Sequence, residues 1–205
     1  FIWFHRTLRD EPEVPGEIIV LYRDERIVVV DKPHFLATIP RGRHVRQSIV
    51  VRARQELGLP ELSPAHRLDR NTAGVLLLTT ERRWRGAYQE MFHRREPRRV
   101  YHAVARHDPR LTFPRTVESH IVKEVGILQA QTLNQPPNAR TRIDLLETRD
   151  GLGRYEARPE TGRTHQIRMH FLELGLPLYN DPLYPEVRHT PIDDFSSPMG
   201  LIARE

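Results

Sequence analysis

Residues 65–80 read A-H-R-L-D-R-N-T-A-G-V-L-L-L-T-T, and they hold one carboxylate, Asp69, between Arg67 and Arg70. The polar turn Asn71–Gly74 follows, and then the apolar run Val75–Leu78, which reads as a buried strand. Charge at the mouth of a buried strand is costly unless it is paired. Loop residues held by a rigid element are also where catalytic groups tend to sit. Taken alone, an Asp flanked by Arg is more often a salt-bridged surface turn. A second charged segment, residues 158–171 (R-P-E-T-G-R-T-H-Q-I-R-M-H-F), shifts the balance toward chemistry.

That second segment predicts a turn at Pro159–Gly162 leading into a helix from about Arg163 to Gly175, capped by Thr161 or Thr164. Ile167, Phe171 and Leu174 share the face expected in the core. Arg168 and His165 fall on one flank, and Arg163 and His170 on the other. A helix start that carries Arg suits an anion. His165 and His170 are five apart and diverge around the helix, whereas metal-binding helical pairs sit four apart, so no metal site is expected.

The sequence also predicts strands at 26–31, 74–79, 98–107, 116–123, 127–133, 141–148 and 153–158, the one at 98–107 by its alternation of apolar and polar residues. Tyr101, Ala103 and Ala105 share one face of the 98–107 strand. Val45, Ile49, Ala53 and Leu57 predict a helix over 44–57, stopped by Gly58 and Pro60. Trp84, Tyr88, Met91 and Phe92 predict a buried stripe on a helix over 81–95. Consecutive strands with short turns imply antiparallel pairing. Residues 8–17 read as an extended lead-in, and 186–198 as a long loop rich in Pro, Ser and Asp.

The chain has 205 residues, a net charge of +5, 30 Arg against 2 Lys, and no Cys. Disulfides and Cys-ligated zinc are thereby excluded. Nothing in it resembles a membrane span or a signal peptide, and we expect a cytoplasmic protein. The sequence begins at Phe1 rather than Met, which leaves open what precedes it. Base composition of the coding genome accounts for much of the Arg bias but not for the net excess. Clusters at 41–46, 52–54, 82–85 and 94–99 suggest a polyanion partner.

Three pieces in order, H-R-L-D-R-N-T-A-G at 66–74, R-R-V-Y-H-A-V at 98–104 and R-P-E-T-G-R-T-H-Q-I-R-M-H at 158–170, resemble the RluA-type pseudouridine synthases, and G-L-P-L-Y-N-D-P-L-Y at 175–184 fits the same pattern. The likeness runs from about residue 17 to about 184. It departs from the family at Thr72-Ala73-Gly74, where Thr-Ser-Gly is usual, at Asn180-Asp181 in place of Gly-Asp, and at Pro185 in place of Gly.

The resemblance implies an α+β fold with a mixed, largely antiparallel sheet, flanking helices and an RNA-binding cleft. We expect a lead-in at 1–16, a catalytic domain at 17–185, and a loop with a partial C-terminal segment of the same domain at 186–205. The implied activity is isomerisation of uridine to pseudouridine in ribosomal or transfer RNA, with no cofactor. Asp69 matches the family nucleophile and Tyr101 the residue packed on the target base. Arg168 matches the partner of the Asp, Arg67 the residue that replaces the flipped base, and Ile167 a pocket-lining residue. Arg70, Arg163 and His165, which flank these motifs, are expected to bind substrate. A monomer without an obligate protein partner or membrane attachment is expected. The alternative is an RNA-binding module of the same fold without catalysis. A glycosidase or nuclease would need paired carboxylates or a metal cluster, and Asp69 has only Glu160 as a candidate partner.

Overall fold

Strand alternation decides which side chains meet the core. In β2 (Ile27–Lys32), Val28, Val30 and Lys32 are buried and their neighbours only half-buried. The computed structural model describes residues 10–205; residues 1–9, including the first part of the expected lead-in, lie outside them. From β2 the elements run outward: β1 (Ile19–Arg23) before it, then α1 (Ile49–Leu57), β3 (Ser63–Pro64), β4 (Ala73–Thr79), α2 (Arg82–His93), β5 (Tyr101–Arg106), β6 (Arg115–Val122), β7 (Gln131–Leu133), β8 (Ala139–Arg149), β9 (Leu152–Pro159), α3 (Gln166–Glu173) and β10 (Leu201–Ala203). The strands join in the order β1-β2-β4-β10-β5-β9-β8-β6-β7, with β3 also on β4. Every pairing is antiparallel except β10 with β4, so the sheet is mixed and largely antiparallel, as expected.

β10 was not foreseen. The loop after Glu186 returns the chain to the middle of the sheet, where three residues join its two halves. Ile202 and Ala203 pair with Ala73 and Gly74 on one side, and Leu201–Ala203 pair with Tyr101–Ala103 on the other. This approach depends on Gly74, whose φ is 108° and at which a Cβ would strike the Ala203 carbonyl. The lead-in is also docked: Val14 is buried in the N-terminal core, and the Glu11 carboxylate accepts the N–H groups of Val45, Arg46 and Gln47.

That last contact explains why α1 starts at Ile49 and not near 44. Residues 44–47 are held in a turn by Glu11, and the helix then ends at Gly58 in the left-handed conformation (φ 65°) as expected. Ile49, Val50 and Ala53 pack on Val28, Val30, Leu76 and Leu78. On α2 the stripe Trp84, Tyr88, Met91 and Phe92 faces inward but is only half-buried. Two guanidinium groups, of Arg26 and Arg83, cover the Trp84 ring at 4.9 and 4.8 Å.

α3 departs furthest from expectation. It begins at Gln166, because residues 161–165 are tied back to that side chain: Gln166 Oε1 accepts the Arg163 N–H at 3.0 Å and the Thr161 hydroxyl at 2.7 Å. Neither Thr161 nor Thr164 caps it; the N-cap is His165, in the left-handed region at φ 59°. Nor are its flanks solvated: Gln166, Ile167, Arg168, Met169, His170 and Phe171 are all buried. Ile167 and Phe171 pack on Ala103, Ile143, Tyr155 and Ala157, and Met169 on a further cluster with Ile121, Ala130 and Tyr184.

Candidate active site

The Asp69 loop is held from beneath by the segment after β2. Thr38 clamps Leu68, donating its hydroxyl to the Leu68 carbonyl at 2.7 Å and accepting the Leu68 N–H at 3.2 Å. His34 Nδ1 lies 2.8 Å from the Asn71 carbonyl. The fully buried Lys32 ammonium donates to the carbonyls of Pro33, Leu36 and Arg70 at 3.0, 2.8 and 3.2 Å. Burial drives the Lys32 pKa down to about 7, against the upward pull of Asp69. His66 Nε2 accepts the Leu77 N–H at 3.1 Å, and its ring stacks on Phe92. That bond requires an unprotonated Nε2, and burial lowers the His66 pKa to about 4. The loop is thus fixed on both sides of Asp69.

Opposite Asp69 stands Arg168, 99 residues on. Its Nη1 lies 3.2 Å from Asp69 Oδ2. Its stronger bonds go elsewhere: Nε and Nη2 donate to the two oxygens of Asp181 at 2.7 and 2.6 Å, the bidentate fork an Arg makes best. Asp181 is fully buried and also accepts the Leu183 and Tyr184 N–H groups. Burial works against the Arg168 charge, but Asp181 and Asp69 lift its pKa above the ordinary value. Arg168 is therefore aimed by Asp181 and presents its remaining N–H to Asp69, whose side chain is 38% exposed at the cleft floor.

Tyr101 sits at the seam of the two half-sheets and packs against both cores. Its cross-strand neighbours are Ala157 and Ala203, with Ala103 on its own face, so small side chains surround the ring. Burial and the Asp69 charge push its phenol pKa up, against Arg99. Arg99 ties the turn before α3 to this strand by donating to the carbonyls of Pro159 and Thr161 at 3.2 Å.

One open cleft of about 1250 Å³ is lined by Asp69, Tyr101, Arg168, Arg67, Ile167, Arg163 and His165. Arg70 does not line it: its side chain is half-buried, with the guanidinium 5.8 Å from the Phe35 ring and its Nε without a partner. Of the expected substrate-binding residues, Arg70 is thus the one that the cleft does not bring together with the others. The sequence reading missed Asp181, Tyr184 and the turn after β6. That turn brings Lys123 and the exposed apolar residues Val125, Ile127 and Leu128 to the rim; β7 begins only at Gln131, so the strand expected at 127–133 is half loop. A signal for Asp181 was present: a lone carboxylate among apolar residues in L-P-L-Y-N-D-P-L-Y implies a buried partner. Glu160, the candidate carboxylate partner that the sequence offered for Asp69, is instead paired with Arg140 on the surface. Among the described residues no three His, Cys, Asp or Glu side chains form a metal-ligand set, and no helix is long and apolar enough to cross a membrane.

Comparison with known proteins agrees with this geometry. A family model described as RNA pseudouridylate synthase matches residues 26–173. The dual-specificity RNA pseudouridine synthase RluA of Escherichia coli is 31% identical over 193 residues, covering 86% of this chain and 82% of that protein. The human pseudouridylate synthase RPUSD2 is 34% identical over 192 residues, covering 89% of this chain and 34% of that protein. Among solved structures, human RNA pseudouridylate synthase domain containing 1 superposes with a TM-score of 0.73 at 25% identity, over 93% of this chain and 79% of that one. With two distant motifs converging on one cleft and relatives matching along most of its length, the chain belongs to the RluA-type RNA pseudouridine synthase family, isomerases that convert uridine to pseudouridine in RNA.

Proposed function

We propose that Asp69 is the nucleophile of this isomerase, acting on a uridine extruded into the cleft from ribosomal or transfer RNA. The observation that carries the proposal is the half-exposed Asp69 carboxylate at the cleft floor, 3.2 Å from a guanidinium that Asp181 holds in place. A carboxylate beside a fixed guanidinium stays ionised in a partly dry pocket. It attacks C1′ of the ribose, and the C1′–N1 bond breaks with its electron pair leaving on the uracil. The detached base turns over within the cleft, C5 attacks C1′, and the Asp69 ester bond breaks. Loss of the C5 proton restores aromaticity, and N1 takes up a proton, so no atom is gained or lost overall. Tyr101 packs on the base and assists removal of the C5 proton. Arg67 fills the gap left in the RNA, and Ile167 lines the base pocket.

Extruding a paired uridine costs roughly a few kcal/mol. Cations at the cleft (the exposed Arg41, Arg67 and Arg163 and the half-buried Lys123) suit the phosphates, and the apolar rim Val125, Ile127 and Leu128 suits unstacked bases. The dual-specificity name of the bacterial relatives supports more than one structured RNA as substrate. We extend the proposal to a monomer acting in the cytoplasm. Isomerisation releases the C5 proton, so tritium release from RNA carrying [5-³H]uridine measures turnover directly. Asp69→Asn, nearly isosteric but without the anion, should bind RNA with normal affinity and release no tritium. Turnover by that variant would overturn the role of Asp69, and an inactive native chain would favour the binding-module alternative.

A further inference from the structure

His165 stands between two groups that together fix where its proton lies. Its Nδ1 is 2.8 Å from the Tyr184 hydroxyl. That hydroxyl already accepts the Ala130 backbone N–H at 2.6 Å. A phenol has one hydrogen to give, and with Ala130 N–H on its oxygen the hydrogen is free to go to Nδ1. Nδ1 is then an acceptor, and the imidazole carries its proton on Nε2. Nε2 faces Asp69 and lies 3.8 Å from Oδ2, the same oxygen that Arg168 touches at 3.2 Å. The described contacts of the Asp69 carboxylate thus fall on a single oxygen. Two more features hold the ring in place: its side chain is 9% exposed, and its backbone occupies the left-handed region, a conformation kept only where the surroundings impose it.

From this geometry we infer that His165 is a positioning residue, locked by Tyr184 as the neutral Nε2–H imidazole, which with Arg168 fixes one oxygen of Asp69 and leaves the other free to attack. The inference rests on Asp69 being the nucleophile. At 3.8 Å Nε2 and Oδ2 are within ion-pair reach but short of a hydrogen bond, and the positioning role has the contact tighten when substrate fills the cleft, as catalytic hydrogen bonds often do. The charged groups around the ring are Asp69 before β4, Arg168 on α3, Asp181 after it and Lys123 beyond β6. Burial outweighs the two carboxylates and keeps the ring neutral, with a pKa of about 4. His165 changes no bond in the reaction. It sets the direction of the reacting oxygen, which neither Arg168 nor the loop does alone.

The test reads the tautomer without turnover. Protein labelled with ¹⁵N-histidine gives a long-range ¹H–¹⁵N spectrum at pH 7, in which the His165 signals are those lost in His165→Gln. The expected pattern is Nε2–H, and it should shift toward Nδ1–H in Tyr184→Phe, where the lock is gone. An Nδ1–H ring or an imidazolium in the native enzyme would overturn the inference. Turnover gives the second readout. His165→Gln, whose amide nitrogen reaches the Nε2 position, should keep kcat within a few-fold. His165→Met should lower kcat by about tenfold or more with little change in KM for RNA. Equal kcat in the two variants would overturn the positioning role. An active Asp69→Asn enzyme would instead overturn the nucleophile assignment, while the native spectrum is independent of it.

Discussion

Asp181 and Asp69 both touch Arg168, but their removal should have very different consequences. Asp181 is fully buried, meets the guanidinium through two bonds of 2.6 and 2.7 Å, and Arg168 itself is 3% exposed. In Asp181→Asn the amide oxygen accepts one of those bonds, while the amide N–H groups face a guanidinium N–H that also can only donate. A buried cation then loses one of its three carboxylate contacts and the charge of its buried partner. Breaking a buried pair from one side costs about 3–5 kcal/mol, consistent with two charge-assisted bonds at roughly 1.5–3 kcal/mol each. Asp69 contributes one contact at 3.2 Å from a side chain 38% exposed, so its pairing is worth at most about 1 kcal/mol after solvent screening. We therefore expect Asp181→Asn to lower the unfolding free energy by about 3 kcal/mol, or about 6–12 °C in Tm for a chain of this size, and Asp69→Asn by about 1 kcal/mol or less. Urea and thermal unfolding of both variants provide the assay. Comparable losses, or a loss below about 1 kcal/mol for Asp181→Asn, would refute the claim that Asp181 is the structural anchor and Asp69 the free reactant. Turnover should fall in both, because without Asp181 the guanidinium loses its aim.

Four further outcomes follow from the same geometry. His66, His165 and His170 are buried with pKa values lowered to about 4, below the unfolded value near 6.5; their contribution is complete above about pH 6.5 and is lost as pH falls through about 4, at about 1.4 kcal/mol per pH unit for each. Urea titrations from pH 7 to 4 should show that slope, and a flat profile would count against neutral buried rings. Gly74→Ala, which drives a Cβ into the Ala203 carbonyl at φ 108°, should cost several kcal/mol or prevent folding, as read by circular dichroism and yield. Tyr101→Leu should cut tritium release strongly while changing Tm little, since its phenol makes no hydrogen bond among the described contacts and a Leu fills most of the space; normal turnover would make Tyr101 a packing residue only. RNA affinity should fall steeply with salt, with a log–log slope of about −3 if Arg41, Arg67, Lys123 and Arg163 each meet a phosphate of single-stranded RNA, and alanine at Arg67 should reduce that slope while alanine at Arg70 should not.

Local patterns carried the sequence reading where the physics is local. Alternation located β2, β4, β5, β8 and β9 to within a few residues, and Gly58 stopped α1 where a left-handed cap was required. Tyr101 fell on the expected face because a strand's period of two admits no other. The failures have non-local causes. Residues 44–47 are not helical because Glu11, more than thirty residues earlier, takes their N–H groups. Three residues of β10 are too few to show a period, and what makes them a strand is the slot between β4 and β5. The flanks of α3 carry Arg and His, which are usually solvated, yet Arg168 is buried since Asp181 neutralises it, and His170 since it is uncharged and bonded to Ser119. Lys32 closes β2, and its ammonium ties the segment after that strand to the Asp69 loop by holding the carbonyls of Pro33, Leu36 and Arg70. In several of these cases the deciding partner is remote in sequence: Glu11 for residues 44–47, Arg70 for Lys32 and Ser119 for His170.

The same remoteness ties the site to the fold. Asp69 precedes β4, Tyr101 opens β5, and the two strands never pair with each other; β10 stands between them and bonds to both, meeting Gly74 with Ala203 on one edge and Tyr101 with Ala203 on the other. The separation of the Asp69 loop from the Tyr101 strand is therefore set by the width of one strand. Arg168 reaches the same point from α3, which packs on the C-terminal half-sheet through Ile167 and Phe171. The carboxylate belongs to the N-terminal half, while its guanidinium and its anchor Asp181 belong to the C-terminal half. Any slip between the halves would part Asp69 from Arg168 while leaving the Arg168–Asp181 pair whole. The tighter contact lies within one half and the looser one across the seam, so Asp181 keeps Arg168 oriented independently of its contact with Asp69.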